Sequence, residues 1–435
     1  MSSEPLKVFG LKAEVGRWIV VIAGLIIMFC LGAIYAYSVI SVPLKKIFEA
    51  TPPQGYGLKV SSTEMQIPFI VFLLLFALTM PLAGRYIEKY GPRKITLIGA
   101  VLVGLGWCLA SFANSPLTLT FLYGVAGGLG VGLAYNCPIV TSTKWFPDRR
   151  GLAVGLTVLG FGFSAAIVGP LADFLASKFG VQAMFQILGG TFFALTAASA
   201  LFLKLPPENW MPSGWKPAWK LETLQVNLKR GEMIRTKTFY VLWLCYTVGT
   251  LAGLMAIGVS KPVGLEVASN IGISEQEISA LLTALIAPFA LCNGVGRPIF
   301  GWLTDRLDPR KTAAISFTMI IVASLAMSAL PNLLSAYIFA FAVLWLNLGG
   351  WLAIAPAATA QFFGTKDYAR NYGLVFTAYG AGALIGNIIA GQAKDILGAY
   401  IRIFPYVAAL SALGLIIALT LKKPSQKVKS AGNEN

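Results

Sequence analysis

Gly84-Arg-Tyr-Ile-Glu88-Lys-Tyr-Gly-Pro92-Arg93-Lys94 returns later in the chain as Gly301-Trp-Leu-Thr-Asp305-Arg306-Leu-Asp-Pro309-Arg310-Lys311. The second copy lies 217 positions after the first, and Pro81 with Pro298 keeps that spacing. So does Trp145-Phe146 with Phe362-Phe363. Farther on, Gly151, Gly160, Gly169 and Asp173 recur as Gly373, Gly382, Gly391 and Asp395, now 222 positions apart, which a five-residue insertion in a second-half loop explains. A series of matches in constant order means two homologous halves, each one structural unit.

The two copies sit between long apolar runs. Of the 435 residues, 57% are hydrophobic and only 12% charged, with a mean hydropathy of +0.73. A water-soluble fold of this size cannot hide so much apolar side chain, whereas a bilayer solvates it. Runs long enough to span are predicted at 18–41, 66–84, 95–113, 120–143, 151–172 and 183–203, then at 239–260, 279–303, 312–330, 332–358, 372–392 and 402–421. The expected fold is an all-α membrane protein. Residues 1–203 form one six-helix bundle and 239–421 the other. Between them lies a polar linker, 204–238, rich in Pro, Trp and charge, with one surface helix expected around 218–230; 422–435 is a basic tail. Lysine and arginine cluster in alternate loops (Arg85 to Lys94, Lys144 to Arg150, the linker, Arg306 to Lys311), which places both termini in the cytoplasm by the positive-inside rule. Lys45, Lys46, Lys59, Lys178, Lys261, Lys394 and Arg402 are then assigned to the outer side. The N-terminus lacks a cleavage pattern, so its first apolar run is expected to stay as a helix.

Several function classes drop out. Histidine is absent, which removes imidazole-based triads, zinc sites and proton relays. The five cysteines lie unpaired in apolar runs, so neither a metal site nor a cofactor is expected. The net charge of +16 resides in loops, so nucleic acid is not an expected partner; membrane lipid is. The glycines from Gly124 to Gly132 fall mid-span without a following Lys-Ser/Thr and read as close helix contacts, as do Gly151-x-x-x-Gly155 and Gly382-x-x-x-Gly386. No catalytic constellation is visible, and an enzyme is not expected.

The repeated segments resemble the signature of the major facilitator superfamily, Gly-x-x-x-Asp-Arg-x-Gly-Arg-Arg. The first copy departs from it at Glu88-Lys89 and the second at Asp308-Pro309. The resemblance implies two pseudo-symmetric six-helix bundles, a monomer, and rocking about a midplane site. It also gives Gly84, Glu88, Arg93, Gly301, Asp305, Arg306 and Arg310 a gating or loop-stabilising role. Lys144-Trp-Phe-Pro-Asp-Arg-Arg-Gly-Leu-Ala153, Asn293-Gly-Val-Gly-Arg297-Pro298 and Asn371-Tyr-Gly373 resemble the oxalate/formate antiporter and bacterial monocarboxylate carrier branch.

One ionisable side chain is expected clearly inside a span: Arg297, on the eighth. Buried charge is costly and marks function. The rival reading is an arginine that snorkels toward the loop of Asp305. Its repeat counterpart is Met80, so the cation is not part of the shared scaffold. A guanidinium in a dry cavity suits a carboxylate. Asn293, one turn earlier, either holds the arginine, binds a substrate hydroxyl or caps a neighbouring backbone. Where oxalate carriers have a lysine on helix 11, the resemblance aligns Tyr379, and a single cation favours a monoanion. Tyr35, Tyr37, Tyr135, Asn136, Trp345 and Trp351 are candidates to line the cavity, against plain packing for each.

The expected function is secondary active transport of small monocarboxylates such as lactate, pyruvate or formate. An oxalate/formate-type antiporter is the alternative, and a multidrug exporter is a weaker one, since no membrane-embedded acid is evident. Coupling divides two ways. A guanidinium buried without compensation is expensive, which favours anion exchange. The resemblance allows symport with H⁺, carried by the substrate itself or by a span-end acid such as Glu64 or Asp173.

Overall fold

A computed structural model describes residues 7–207, 210–213, 227–364 and 367–424. Twelve helices in it are long and apolar enough to cross a membrane. They are α1 (Ala13–Glu49), α2 (Ser62–Tyr90), α3 (Pro92–Ala110), α4 (Pro116–Trp145), α5 (Leu152–Phe179) and α6 (Val181–Ala200). The second set is α7 (Lys237–Asn270), α8 (Glu275–Leu307), α9 (Pro309–Ala329), α10 (Leu334–Phe363), α11 (Arg370–Leu397) and α12 (Tyr400–Leu419). All-helical spans follow from the lipid, which offers no partner to an open backbone amide or carbonyl. A small hairpin, β1 (Lys7–Val8) with β2 (Leu11–Lys12), precedes α1. The surface helix expected around 218–230 falls largely outside the described residues; a single turn, Arg230–Met233, is seen at its end.

The chain divides into two compact units, Met1–Pro217 with Ala280–Leu291 and Ala218–Ser279 with Cys292–Asn435. The same pairs of helices pack in each. In the first unit α3 lies against α6 and α4, and α1 against α5; in the second α9 lies against α12 and α10, and α7 against α11. Repeated glycines explain the correspondence. A Cβ on Gly160 would run into the Leu25 carbonyl of α1, and a Cβ on Gly382, its counterpart, into the Thr247 carbonyl of α7. Gly386 meets the Leu251 carbonyl in the same way, and Gly124, Gly128, Gly130 and Gly132 let α4 touch the backbones or Cβ atoms of α2 and α3. Gly155 differs from expectation: nothing lies within 4 Å of a Cβ placed there.

Two spans run well past their expected ends. The first of each half continues through a proline, Pro43 in α1 and Pro262 in α7. Each also carries an irregular turn: a 3₁₀ segment, Gly32–Ala36, in α1 and non-helical Val259 in α7. Lys45, Lys46 and Lys261 therefore belong to helices, not to loops. Lys394 is helical too; it pairs with Glu266 at 2.9 Å, while that carboxylate also accepts the backbone N–H groups of Tyr400 and Ile401 at 3.0 Å each.

The loops that follow α4 and α10 each hold one end of the linker. In the first unit Arg17, 7% exposed, grips Asp148 with two hydrogen bonds of 2.6 and 2.9 Å and lies 4.2 Å from the Phe146 ring. Those bonds hold the Asp148 carboxyl below its ordinary pKa against the opposing pull of partial burial. The Trp145 indole donates to the Lys204 carbonyl and packs edge-on against Trp210. In the second unit Leu228 donates its N–H to the Phe363 carbonyl, and the Asn371 amide donates to the Leu228 carbonyl, both at 2.9 Å. Trp145-Phe146 and Phe362-Phe363 are repeat counterparts, so the duplicated motif does duplicated work.

Asp308 explains the departure of the second signature copy. Gly91, between α2 and α3, has φ 82° and ψ 157°; Asp308, its counterpart between α8 and α9, has φ 78° and ψ 159°. Only glycine adopts this region without strain, which costs a side chain about 1–3 kcal/mol. Asp308 offsets part of it by capping α9, its Oδ1 accepting the Lys311 N–H at 3.0 Å. Losing such a cap costs about 1 kcal/mol. Asp308→Ala is therefore expected to lower thermal stability in detergent, and Asp308→Gly to match or exceed the parent. A glycine variant less stable than the alanine variant would refute the strain argument.

Candidate substrate-binding site

The site is built on α8 where it touches α10. Glycine makes that approach possible: a Cβ on Gly349 would overlap the Asn293 carbonyl, one on Gly296 the Leu346 carbonyl, and one on Gly350 the Phe300 ring. At this distance Asn293 is fully buried and its Nδ2 donates to the Trp345 carbonyl at 3.1 Å. Among the described residues, Asn293 Oδ1 is buried with no hydrogen-bond partner. A buried acceptor left over in this way calls for a donor. Arg297, one turn along α8, is 8% exposed, so its guanidinium is enclosed by protein and does not reach open solvent.

Tyr379 on α11 is fully buried and stacks on Phe376, centroids 5.0 Å apart at 14°. Trp351 is 1% exposed, lies flat against Gly249 and stacks on Tyr246 at 6.1 Å; its indole N–H has no hydrogen-bond partner among the described residues. Trp345 is different. Its N–H donates to Ser260 Oγ at 3.2 Å and its carbonyl is taken by Asn293, so it serves as a strut between helices.

In the first unit Tyr35 and Tyr135 converge on one ring, Phe161, with edge contacts of 5.0 and 5.3 Å. Tyr37 stacks on Phe69 and donates its hydroxyl to the Met65 carbonyl. Asn136 is half-buried. Of the signature residues, Glu88, Arg93, Asp305, Arg306 and Arg310 are exposed, Arg306 with its guanidinium over the Trp302 ring at 5.1 Å. Gly84 and Gly301 are half-buried, and no neighbour within their units demands the absence of a side chain there.

The expectation of a single ionisable group inside the spans is corrected. Lys261, within α7, is 2% exposed, whereas the other buried cation, Arg17, lies at the start of α1 against the loop carboxylate of Asp148. Arg17 was legible only through Asp148, 131 residues away. Lys261 did have a signal: apolar Val263, Leu265 and Val267 follow it, continuing the run that Lys-Pro seemed to close.

The profile of the Major Facilitator Superfamily matches residues 19–265 and, again, 242–435. The chain belongs to this superfamily. It is therefore a multi-pass membrane transporter. Over 375 residues it is 28% identical to the oxalate:formate antiporter of Oxalobacter formigenes, covering 85% of this chain and 83% of that one. Monocarboxylate transporter 4 of Gallus gallus is 26% identical over 437 residues, with 98% and 88% covered. Monocarboxylate transporter 12 of Xenopus laevis is 28% identical over 367 residues, with 80% and 77% covered.

The helix contact under the site is open to a direct check. Gly349→Ala forces α8 and α10 apart and is expected to cost about 1–3 kcal/mol of stability, as overpacking does. Gly84→Ala and Gly301→Ala meet open space or ordinary contact and should unfold within a degree or two of the parent in a thermal melt. Equal stability of all three would show that the close approach is not needed.

Proposed function

We propose that the protein is a secondary active carrier of small monocarboxylates, with 2-hydroxy acids such as lactate as favoured substrates. The observation that carries this reading is the pair on α8: a buried guanidinium at Arg297 and, one turn away, the buried Asn293 Oδ1 with no donor among the described residues. The carboxylate takes two parallel hydrogen bonds from the planar guanidinium, a geometry lysine does not offer. The 2-hydroxyl then donates to Asn293 Oδ1, whose amide end is held by the Trp345 carbonyl. Tyr379, standing where oxalate carriers present a lysine, leaves one cation to face the carboxylate and so suits a monoanion. Trp351 adds an indole N–H from α10, the helix whose Trp345 carbonyl holds Asn293. The names of the relatives agree with this substrate class.

The carrier resides in the cell's inner or plasma membrane with both termini cytoplasmic.

Removing one partner of a buried charged contact costs about 2–5 kcal/mol. Arg297→Gln and Arg297→Lys in proteoliposomes should thus lose at least 30-fold in labelled lactate transport while inserting normally. Full transport by Arg297→Gln would end the assignment. Asn293→Leu should cost lactate about tenfold, the ~1.4 kcal/mol of one lost hydrogen bond, and leave propionate, which lacks the hydroxyl, unchanged. Coupling is separated by lactate entry into liposomes without internal anion under an inward pH gradient. Concentrative uptake there means proton symport, and uptake only with internal lactate or pyruvate means exchange.

A further inference from the structure

One end of the second unit carries cations that nothing in that unit answers. Arg310 and Lys311 open α9, and Lys422 and Lys423 follow α12; all four are exposed. Among the described residues none of the four has an ion-pair partner. Arg310 and Lys311 line a cleft of about 480 Å³ whose other walls are mostly apolar: Leu307 at the end of α8, Ala314 and Ile315 on α9, and Leu419 on α12.

Helical spacing layers this cleft. Ala314 and Ile315 stand four residues after Arg310 and Lys311, on the same face and one turn deeper in the bilayer. Side chains lean toward a helix N-terminus, which for α9 is the end at the membrane surface, so the two cationic heads reach outward over an apolar floor. Ala314, the smallest of the lining side chains, leaves room beneath them. On α12 the order is the same: Leu419 lies within the span, and Lys422 and Lys423 follow it. The Thr238 hydroxyl donates to the Lys422 carbonyl at 2.9 Å and holds the chain at that level. The apolar floor continues deeper as exposed Val322 and Leu325 on α9 and exposed Ile416 and Leu413 on α12, a face that only lipid chains can cover.

Charge selects the occupant. The carboxylate that lines the cleft, Asp308, has its Oδ1 committed to the Lys311 N–H at 3.0 Å, and one acid against the neighbouring basic side chains leaves positive charge in surplus. Basic clefts between spans at headgroup level take anionic headgroups.

We propose that this cleft seats one anionic phospholipid, its phosphate held between Arg310 and Lys311 and an acyl chain laid along Ile315 and Leu419. The site does not depend on what Arg297 binds. The test is native mass spectrometry of the purified full-length carrier in detergent, titrated with phosphatidylglycerol or phosphatidylcholine. The parent should hold a single phosphatidylglycerol about tenfold more tightly than phosphatidylcholine. Each cation neutralised should weaken binding about fivefold, the ~1 kcal/mol that a basic residue contributes near an anionic lipid surface, so the double variant Arg310→Gln, Lys311→Gln should lose about 25-fold. Ala314→Phe keeps both cations but fills the cleft, and it should lose about tenfold while melting as the parent does. Arg306→Gln is the charge control: that guanidinium lies in the last turn of α8 over the Trp302 ring, outside the cleft, and its loss should leave binding unchanged. Equal affinity for the two lipids, or a double variant within about twofold of the parent, overturns the proposal. So does an Arg306→Gln loss as large as that of Arg310→Gln, which means diffuse surface charge. Undiminished binding by a folded Ala314→Phe shows that the cleft is not the seat. Displacement of the lipid by an equal concentration of soluble glycerol phosphate means a free-anion site and also overturns it.

Discussion

Backbone-to-backbone contact between helices, made where glycine leaves no side chain in the way, is the interaction on which the rest of this protein depends. Lipid gives apolar helices little reason to associate, so close packing must supply the attraction, and small residues permit it. Gly160 against α1 and Gly382 against α7 set the same helix pair in each unit. Gly296, Gly349 and Gly350 do so for α8 and α10. Because the α10 backbone comes this near, its Trp345 carbonyl is within reach of the Asn293 amide. The orientation of Asn293, and of Arg297 one turn on, is a consequence of glycine placement on the neighbouring helix.

The duplicated architecture is informative where it is obeyed and where it is broken. Gly91 and Asp308 occupy the same left-handed backbone conformation, one without strain and the other offset by a cap, so the turn is dictated by geometry and the residue is negotiable. Trp145-Phe146 and Phe362-Phe363 each secure an end of the linker, by an indole donor in one unit and a backbone carbonyl in the other. The motif around Asp148 and the Asn371 amide gain a plain physical role from these contacts. The repeat is broken at one buried position, where Arg297 stands in place of the first half's Met80.

Much of this was legible in the residues. Length and apolarity of the runs determine twelve spans, since a bilayer admits little else. The repeat determines two equivalent halves, and Arg297 stands out as a charge within the eighth apolar run. What sequence could not decide was how far a helix continues once a charge and a proline appear. Lys-Pro at 261–262 looked like the end of a span, because exposure of lysine to lipid is prohibitive. The tertiary structure encloses that lysine in protein instead, and the helix runs on to Asn270. Likewise, nothing local separates an indole N–H left without a protein acceptor from one already bound. Trp345 and Trp351 look alike in sequence, yet the first gives its N–H to Ser260 and the second has no hydrogen-bond partner among the described residues. Composition and periodicity fix where a chain must be apolar, because solvation acts on each segment alone. Which polar atom is satisfied depends on partners tens to hundreds of residues distant, and only packing brings those together.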